Sequence, residues 1–355
     1  MDQMKRLPLL CLCLAFYTAA QAQLFINEVS ASNYTDFTDN YGQFEDWIEI
    51  YNAGGAAVDL NGYYFSDDIL DPTKYQVTAS VNVPAGGFRV VFASNKNTVA
   101  GTNIHTNFKI NQTSQEYAVL ADPSGAILDA YWLELPTQGN HSRGRLTNGG
   151  ATWGVFTNPS PGATNTGGFT GYAERPVFDV ASGAYPATVN VNVTSAQAGV
   201  TVRYTINANE PTAASPAVAG PTPVPVTVVI HARAYSDDPM ILPSFMETNS
   251  YFIAENHVLP IISISGPQLQ TLLNGTQISP EGHIEYFGEN GQLRDEARGD
   301  FNEHGNDSWA YAQRGIDYIT RDQLGYNDEI HYPIFRAKDR DGFQRLIIKA
   351  AANDN

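Results

Sequence analysis

The sequence predicts a mainly β protein, with two β-sandwiches in tandem followed by an incomplete α+β lobe. Three observations predict it. Apolar and polar residues alternate at period two in short runs from Leu24 to about Ile253, the pattern of strands with one face on a core. The 30 Gly and 20 Pro punctuate those runs, and 19 Tyr and 17 Phe fill them, a mixture that favours strands joined by tight turns. Convincing helical spacing in the mature chain comes only after residue 257, where Leu269, Leu272 and Leu273 recur along one face.

The 355 residues are enough for two or three domains, each with its own core. With 37 acidic against 20 basic side chains the formal charge is −17, which repels a phosphate backbone or an anionic membrane surface, so no nucleic-acid partner is expected. Residues 1–22 read as a signal peptide: Lys5 and Arg6 precede a mostly apolar run from Leu7 to Ala20, and Ala20-Gln21-Ala22 supplies small residues before a cut after Ala22. The run is too short to cross a bilayer comfortably, so a transmembrane anchor is not expected. Cys11 and Cys13 both lie in this segment, which leaves the mature chain without a disulfide, a thiol nucleophile or a cysteine metal site. Lipoprotein-type modification of either Cys is disfavoured, because neither follows a long apolar run and a small residue. The expected location is secreted or at the cell surface.

Residues 23–165 form the first predicted sandwich. Its central strands are Ile26-Asn27-Glu28-Val29 and Phe44 to Asn52, where Ile48 and Ile50 fall on one face and Trp47, Glu49 and Tyr51 on the other, as in a half-buried sheet. Gln76 to Val83 alternates most regularly, with Val77, Ala79, Val81 and Val83 on one side. Pro84-Ala85-Gly86-Gly87 turns the chain into Phe88 to Ala93, and Asp122-Pro123-Ser124-Gly125 separates Tyr117 to Ala121 from Ala126 to Tyr131. Strands at such spacing predict a sandwich.

Six blocks give this region a specific resemblance. Ile26-Asn27-Glu28, Asp46 to Asn52, Val58 to Tyr63 with Ser66-Asp67-Asp68, His105 to Phe108, Ser142-Arg143-Gly144-Arg145 and Pro159 to Asn165 together resemble the bacterial form of the lamin-tail domain. The resemblance implies an immunoglobulin-like sandwich serving as a binding or spacer module, with no catalysis of its own.

Residues 166–174, rich in Gly and Thr, read as a linker. A second sandwich is predicted over 175–254, where Val189, Val191 and Val193, then Val200, Val202, Tyr204 and Ile206, then Val226, Val228, Ile230, Ala232 and Ala234 each line one side of a strand. Val200 to Thr205, Glu210-Pro211-Thr212, His231 to Tyr235 and Ser250-Tyr251-Phe252 resemble the chitobiase and hexosaminidase C-terminal, fibronectin-III-associated domain. Asn207-Ala208-Asn209 stands where that family has Asp-Gly, a change the turn tolerates because Asn accepts a left-handed backbone. In sugar-processing enzymes such a module is an appendage.

From 257 to 355 the expected elements are a strand at Leu259 to Ile264, a helix at Gln268 to Asn274, and strands at Ile284 to Phe287, Phe301 to Gly305, Gln313 to Arg321 and Arg345 to Ala350. Leu259 to Ser263, Glu285-Tyr286-Phe287, Asn302 to Gly305, Gln313-Arg314-Gly315, Asp328 to Phe335 and Leu346 to Lys349 resemble the opening of the CotH-type kinase domain. That resemblance implies that ATP and a divalent metal serve a longer parent protein, whose acidic catalytic and metal residues lie beyond Asn355. Exposed apolar strands near Ile347 predict that this end is less stable alone.

No catalytic, cofactor-binding or metal-binding residue is assigned. Gly-x-Gly-x-x-Gly, Walker, Gly-x-Ser-x-Gly and His-Glu-x-x-His patterns are missing from the sequence. His141 and Ser142 are neighbours, and a strand points them to opposite faces. Arg314 follows Gln313 where the kinase family would carry a lysine, a change of hydrogen-bonding geometry and pKa. Lys349 reads as a solvent-facing strand residue, and Asp339-Arg340-Asp341-Gly342 as a charged hairpin turn rather than a metal or kinase loop. Asp36, Asp39, Glu45 and Asp46 supply hard oxygen ligands of the kind calcium takes, but without its loop spacing, so a solvated acidic loop is preferred. Tyr63, Tyr64 and Trp132 are candidates for stacking on a surface glycan or an extracellular protein, against a core role. The expected function is recognition or presentation at the cell exterior; the rivals are the N-terminal portion of an exported kinase and a structural spacer.

Overall fold

The computed structural model describes residues 24–305 and 314–349; the predicted signal peptide with Cys11 and Cys13, and Gln313, lie outside the described residues. The chain is mainly β, as expected.

The first unit pairs a seven-stranded sheet with a four-stranded one. The larger sheet runs in the order Trp153–Phe156, Ser142–Arg145, Leu24–Ser30, Asp46–Asn52, Phe88–Ala93, Asn103–His105 and Thr98–Ala100. The smaller runs Ile127–Trp132, Tyr117–Ala121, Tyr64–Ser66 and Tyr75–Gln76. Ile26, Val29, Ile48, Ile50 and Val91 meet Phe65, Tyr75, Ala118 and Leu120 between the sheets. Each large aliphatic side chain buried there contributes about 1.5–3 kcal/mol. Ile26 and Val29 are three apart, yet both reach this core, because the register shifts between Ile26 and Glu28.

Two expectations change here. Asp46–Asn52 is not half-buried: Trp47, Glu49 and both isoleucines are buried, because the outer face has its own cover. Phe37 packs edge-on against Trp47 at 6.1 Å, and Glu49 lies under the loop 159–165 through Gly162. Gln76 to Val83 keeps its predicted alternation of burial, but is not one strand. Tyr75–Gln76 pairs with Tyr64–Ser66, whereas Asn82–Val83 pairs with Val58–Asp59. Between them Asp59 takes over the role of a neighbouring strand, its carboxylate accepting from Val81 N–H at 2.9 Å and from the Ser80 hydroxyl at 2.7 Å.

The segment read as a linker is held along its length. Val155 and Phe169 exchange backbone hydrogen bonds, and Gly171–Tyr172 runs parallel to Ile241–Leu242 of the second unit. That unit centres on the sheet Gly183–Tyr185, Glu247–Ile253, Val228–Ser236 and Val200–Thr205, with Val191, Val193, Val202, Ile230 and Tyr251 in its core. Val226 falls outside the strand and is exposed.

The third unit is an antiparallel sheet of five strands in the order Ile261–Ser265, Glu281–Phe287, Leu293–His304, Gly315–Thr320 and Arg345–Ile348. The expected helix is present at Leu269–Leu273, and its Leu269 and Leu272 pack with Ile284, Phe301 and Tyr318. Leu293–His304 begins eight residues before the strand expected at Phe301. Its polar first half hid it, because Glu296, Arg298 and Asp300 meet charged or hydroxyl partners instead of a core: His283, Glu210 and Tyr34 respectively.

Buried polar bonds join the units. Glu285 of the third accepts from Ser182 Oγ at 2.6 Å and from Ser250 N–H at 3.2 Å in the second. Glu210 of the second receives Arg298 of the third at 2.6 Å and its own unit's Arg233 at 3.2 Å. The Gln112 amide of the first donates to the Asp322 carbonyl at 2.7 Å. Phe252 and Phe287 add an edge-to-face contact at 5.1 Å.

Candidate recognition surface

Register along the four-stranded sheet separates the candidate aromatics. Cross-strand partners share a face, and residues two apart share one too. Tyr117 pairs with Trp132, and Ala121 with Tyr64, so Trp132, Tyr117 and Tyr64 stand on the face opposite Phe65, Ala118, Leu120 and Tyr131. The latter four belong to the core or pack against it. Tyr63, one residue earlier, packs against the same core, so it does not share the face of Tyr64.

Trp132 is 42% exposed on the edge strand of this sheet and stacks on Tyr117 with centroids 6.3 Å apart and planes 16° apart. Its indole N–H donates to the Gln115 carbonyl at 3.3 Å, which fixes the ring without covering it. The Tyr64 hydroxyl accepts from the Gln76 amide at 2.9 Å, and Gln76 is exposed. Tyr117 and Ala121 are four residues apart, so the Trp132 and Tyr64 ends are separated by about 13 Å along the strands. Val119, Ala130 and Ser66 share this face between them, and Val119 and Ser66 are fully buried, so the two ends are separate accessible points: an exposed indole stacked on Tyr117 at one, and a tyrosine hydroxyl beside an exposed amide at the other. The Trp132 end offers a ring face to an apolar patch, and the Tyr64 end hydrogen bonds to hydroxyls. Tyr117 was missed in the sequence, where it reads as an ordinary strand tyrosine; only the register to Trp132 marks it.

Of the acidic side chains weighed for calcium, Asp39, Glu45 and Asp46 are taken up otherwise. Lys96 Nζ lies 2.8 Å from Asp39 and 2.5 Å from Glu45, and Lys109 lies 3.0 Å from Glu45. An ammonium therefore stands between the two carboxylates. Asp39 also accepts from the backbone N–H groups of Tyr41 and Gln43, which closes its turn. Asp46 is buried apart from them; burial, and then the nearby Asp322, push its carboxyl well above the usual carboxylate range.

His141 and Ser142 do not work together. His141 Nδ1 is 2.7 Å from the Tyr172 hydroxyl, with the two rings stacked, while Ser142 donates to Glu28. Burial pushes His141 down to about 4. Arg314 donates to the Leu273 carbonyl at the end of the short helix and lies against Gly275, so it serves the helix terminus. Lys349 is exposed. Asp339 to Asp341 lie in the loop between Ile330–His331 and Gly342–Phe343, where Arg340 Nε donates to the Gly342 carbonyl at 2.5 Å.

Comparison with known families matches two segments. Residues 17–133 match the Lamin Tail Domain and residues 180–240 the Chitobiase/beta-hexosaminidase C-terminal domain. The chain carries these two domains in that order, and sandwiches of these types fit a modular binding or structural role. The first structural unit reaches beyond the matched segment, since Ser142–Arg145 and Trp153–Phe156 complete its larger sheet. No curated protein matches the chain.

Proposed function

We propose that this is an exported, modular recognition protein in which Trp132, backed by Tyr117, stacks on the apolar face of a surface saccharide and the more distant Tyr64 hydroxyl takes a sugar hydroxyl, the other two units holding that edge in a fixed orientation. The observation that carries the reading is the Trp132–Tyr117 stack at the edge strand of the smaller sheet, where the Trp132 ring is exposed. A tryptophan held by its N–H while its ring stays open suits stacking better than packing. Export rests on the leader-like residues 1–22, and N-terminal sequencing of the mature protein is expected to begin at Gln23.

A glycan array followed by titration of the full chain tests the binding. A saccharide ligand whose affinity falls about tenfold or more in Trp132→Ala is expected, consistent with the loss of one aromatic contact. Binding that survives Trp132→Ala and Tyr64→Ala unchanged removes this face from the reading, and a folded chain with no ligand leaves a spacer. A second reading, the N-terminal portion of an exported CotH-like kinase with catalytic residues beyond Asn355, draws support from the five-stranded antiparallel sheet with a helix packed on it. Sequencing the gene past Asn355 and measuring ATP turnover by the encoded protein test that reading.

A further inference from the structure

The third unit holds a cavity of about 570 Å³, lined among others by Tyr286, Tyr332, Arg294, Arg336, Lys338 and Glu289. Its charge is opposite to that of the whole chain: three cations face one carboxylate, in a chain of formal charge −17. Many cations elsewhere are engaged by carboxylates, as Lys96, Arg233, Arg298 and Arg321 are, while Arg89, Arg203 and Arg340 meet backbone carbonyls. Two of the cavity's cations meet neither. Among the described residues Arg294 reaches only the Asn290 side-chain oxygen, at 3.1 Å, and the face of Tyr332, at 5.7 Å. Lys338 is exposed, and its ammonium has no hydrogen bond or ion pair among the described residues. Arg336 meets Glu289 at 2.6 Å, but both are exposed, and such a pair contributes little and exchanges partners readily.

The tyrosines restrict the ligand further. Their rings lie 5.3 Å apart at 38°, and Arg294 covers the face of Tyr332, so ring faces are taken up within the protein. Neither phenol hydroxyl has a hydrogen-bond partner among the described residues. A planar base would find little to stack on, whereas a carboxylate flanked by hydroxyls would find cations and hydroxyl partners together. The volume lies in the range of small-molecule sites. We propose that this cavity binds acidic saccharides, with Arg294 and Lys338 taking a uronate carboxylate and the Tyr286 and Tyr332 hydroxyls taking ring hydroxyls. The site is separate from the Trp132 face, and neither depends on the other.

Calorimetric titration of the full chain with a galacturonate trisaccharide tests it, beside a neutral glucose trisaccharide, ATP with magnesium, and polyglutamate as a plain polyanion. The uronate is expected to bind at least about tenfold more tightly than each of the other three. Lys338→Gln, at an exposed position, is expected to keep the parent's melting temperature and weaken uronate binding severalfold, and Tyr332→Phe to weaken it by removing one hydroxyl. Arg294→Gln, checked by near-ultraviolet circular dichroism, is expected to weaken it most. Absence of uronate binding overturns the proposal. So does equal or tighter binding of ATP, polyglutamate or the neutral sugar, or an affinity that Lys338→Gln and Arg294→Gln both leave unchanged.

Discussion

Glu49 accepts a hydrogen bond from the backbone N–H of Gly162 at 2.6 Å, across 113 residues of chain, and so fastens the loop 159–165 over the outer face of the larger sheet. The Asn27 amide donates to the same carboxylate at 3.0 Å, and Glu28 beside it receives the hydroxyls of Ser142 and Ser160. Burial raises both carboxyls, that of Glu49 to about 8. The folded state then keeps a proton that the unfolded chain releases above about 4.5, so stability declines as pH rises from about 4.5 to about 8 and levels off beyond. Glu49→Gln does not titrate. Its melting temperature is expected to lie below the parent's at pH 5, by the equivalent of about 1–3 kcal/mol for an amide facing a donor, with the gap narrowing towards pH 8. A gap that stays constant across the range would show that Glu49 keeps an ordinary carboxylate pKa.

Gly144 lies under the same polar layer. A β-carbon there would stand 2.7 Å from the Asn165 amide nitrogen and 2.9 Å from the Phe156 ring. Asn165 is itself committed, donating to the carbonyls of Arg145 at 2.9 Å and Asn27 at 3.2 Å, so it has nowhere to move. Gly144→Ala is expected to cost about 1–3 kcal/mol in urea unfolding, the usual cost of overpacking. Gly162→Ala, where nothing stands within 4 Å but φ is +84°, is expected to act through backbone strain alone.

These two sites show what the sequence conveys and where it stops. Ile48, Ile50, Val119 and Val202 announce their strands through local alternation, and the runs Ile26-Asn27-Glu28 and Ser142 to Arg145 carry enough of a family pattern to place the first fold. The burial of Glu28 and Glu49 is not local information, since their partners Ser142, Ser160 and Gly162 lie more than 100 residues away. The same limit divided the aromatics. Tyr63 and Tyr64 look alike in sequence, and only the pairing of Tyr64 with Ala121 puts one on the face away from the core and the other against it. Glu296 and Arg298 concealed half a strand because their partners belong to another strand or another unit.

Lys96 joins residues far apart in sequence, with Asp39 fully buried at one end and Glu45 nearly so at the other. Lys96→Met leaves those carboxylates to share Lys109 and His105, the latter 4.0 Å from Asp39. Losing one partner of a partly buried pair is expected to cost about 1–3 kcal/mol by chemical denaturation. Calcium at millimolar concentration is expected to leave the parent's melting temperature unchanged, because the lysine already occupies the gap. A calcium-dependent rise in the parent would contradict that.

Two buried histidines lower stability in acid. Burial pushes His141 down to about 4, and burial, then His283 and Arg298, do the same to His231. Their ordinary value is 6.5, so between 6.5 and about 4 the unfolded chain takes up protons that the folded chain refuses, and stability falls as pH falls through that window. Raised carboxyls such as Glu28, Glu49 and Asp46 work in the opposite sense, so the histidine part shows as a difference between proteins: His141→Gln with His231→Gln is expected to gain stability relative to the parent as pH falls from 6.5 to about 4. A difference that stays constant across that window would contradict it.

Glu285 decides whether the third unit behaves as a separate body. It is 1% exposed, and it accepts from Ser182 Oγ, Ser250 N–H and Ser250 Oγ, all in the second unit. The covalent connection is the short stretch from Ala254 to Pro260, in which Val258 and Leu259 are 76% and 70% exposed, so it holds little by packing. Limited proteolysis of the parent is therefore expected to be slow at this connection, with the Glu285 contacts and the Phe252–Phe287 pair keeping the units closed. Glu285→Ala takes the acceptor from the Ser182 hydroxyl and leaves the Ser250 N–H and hydroxyl only Ser182 Oγ and Ser263 Oγ, and is expected to speed cleavage between Ala254 and Pro260 severalfold while each sheet core stays resistant. Cutting first within Ile316 to Ile348 in both proteins would instead locate the weakness in the third sheet, at the edge strand where Ile347 is 52% exposed.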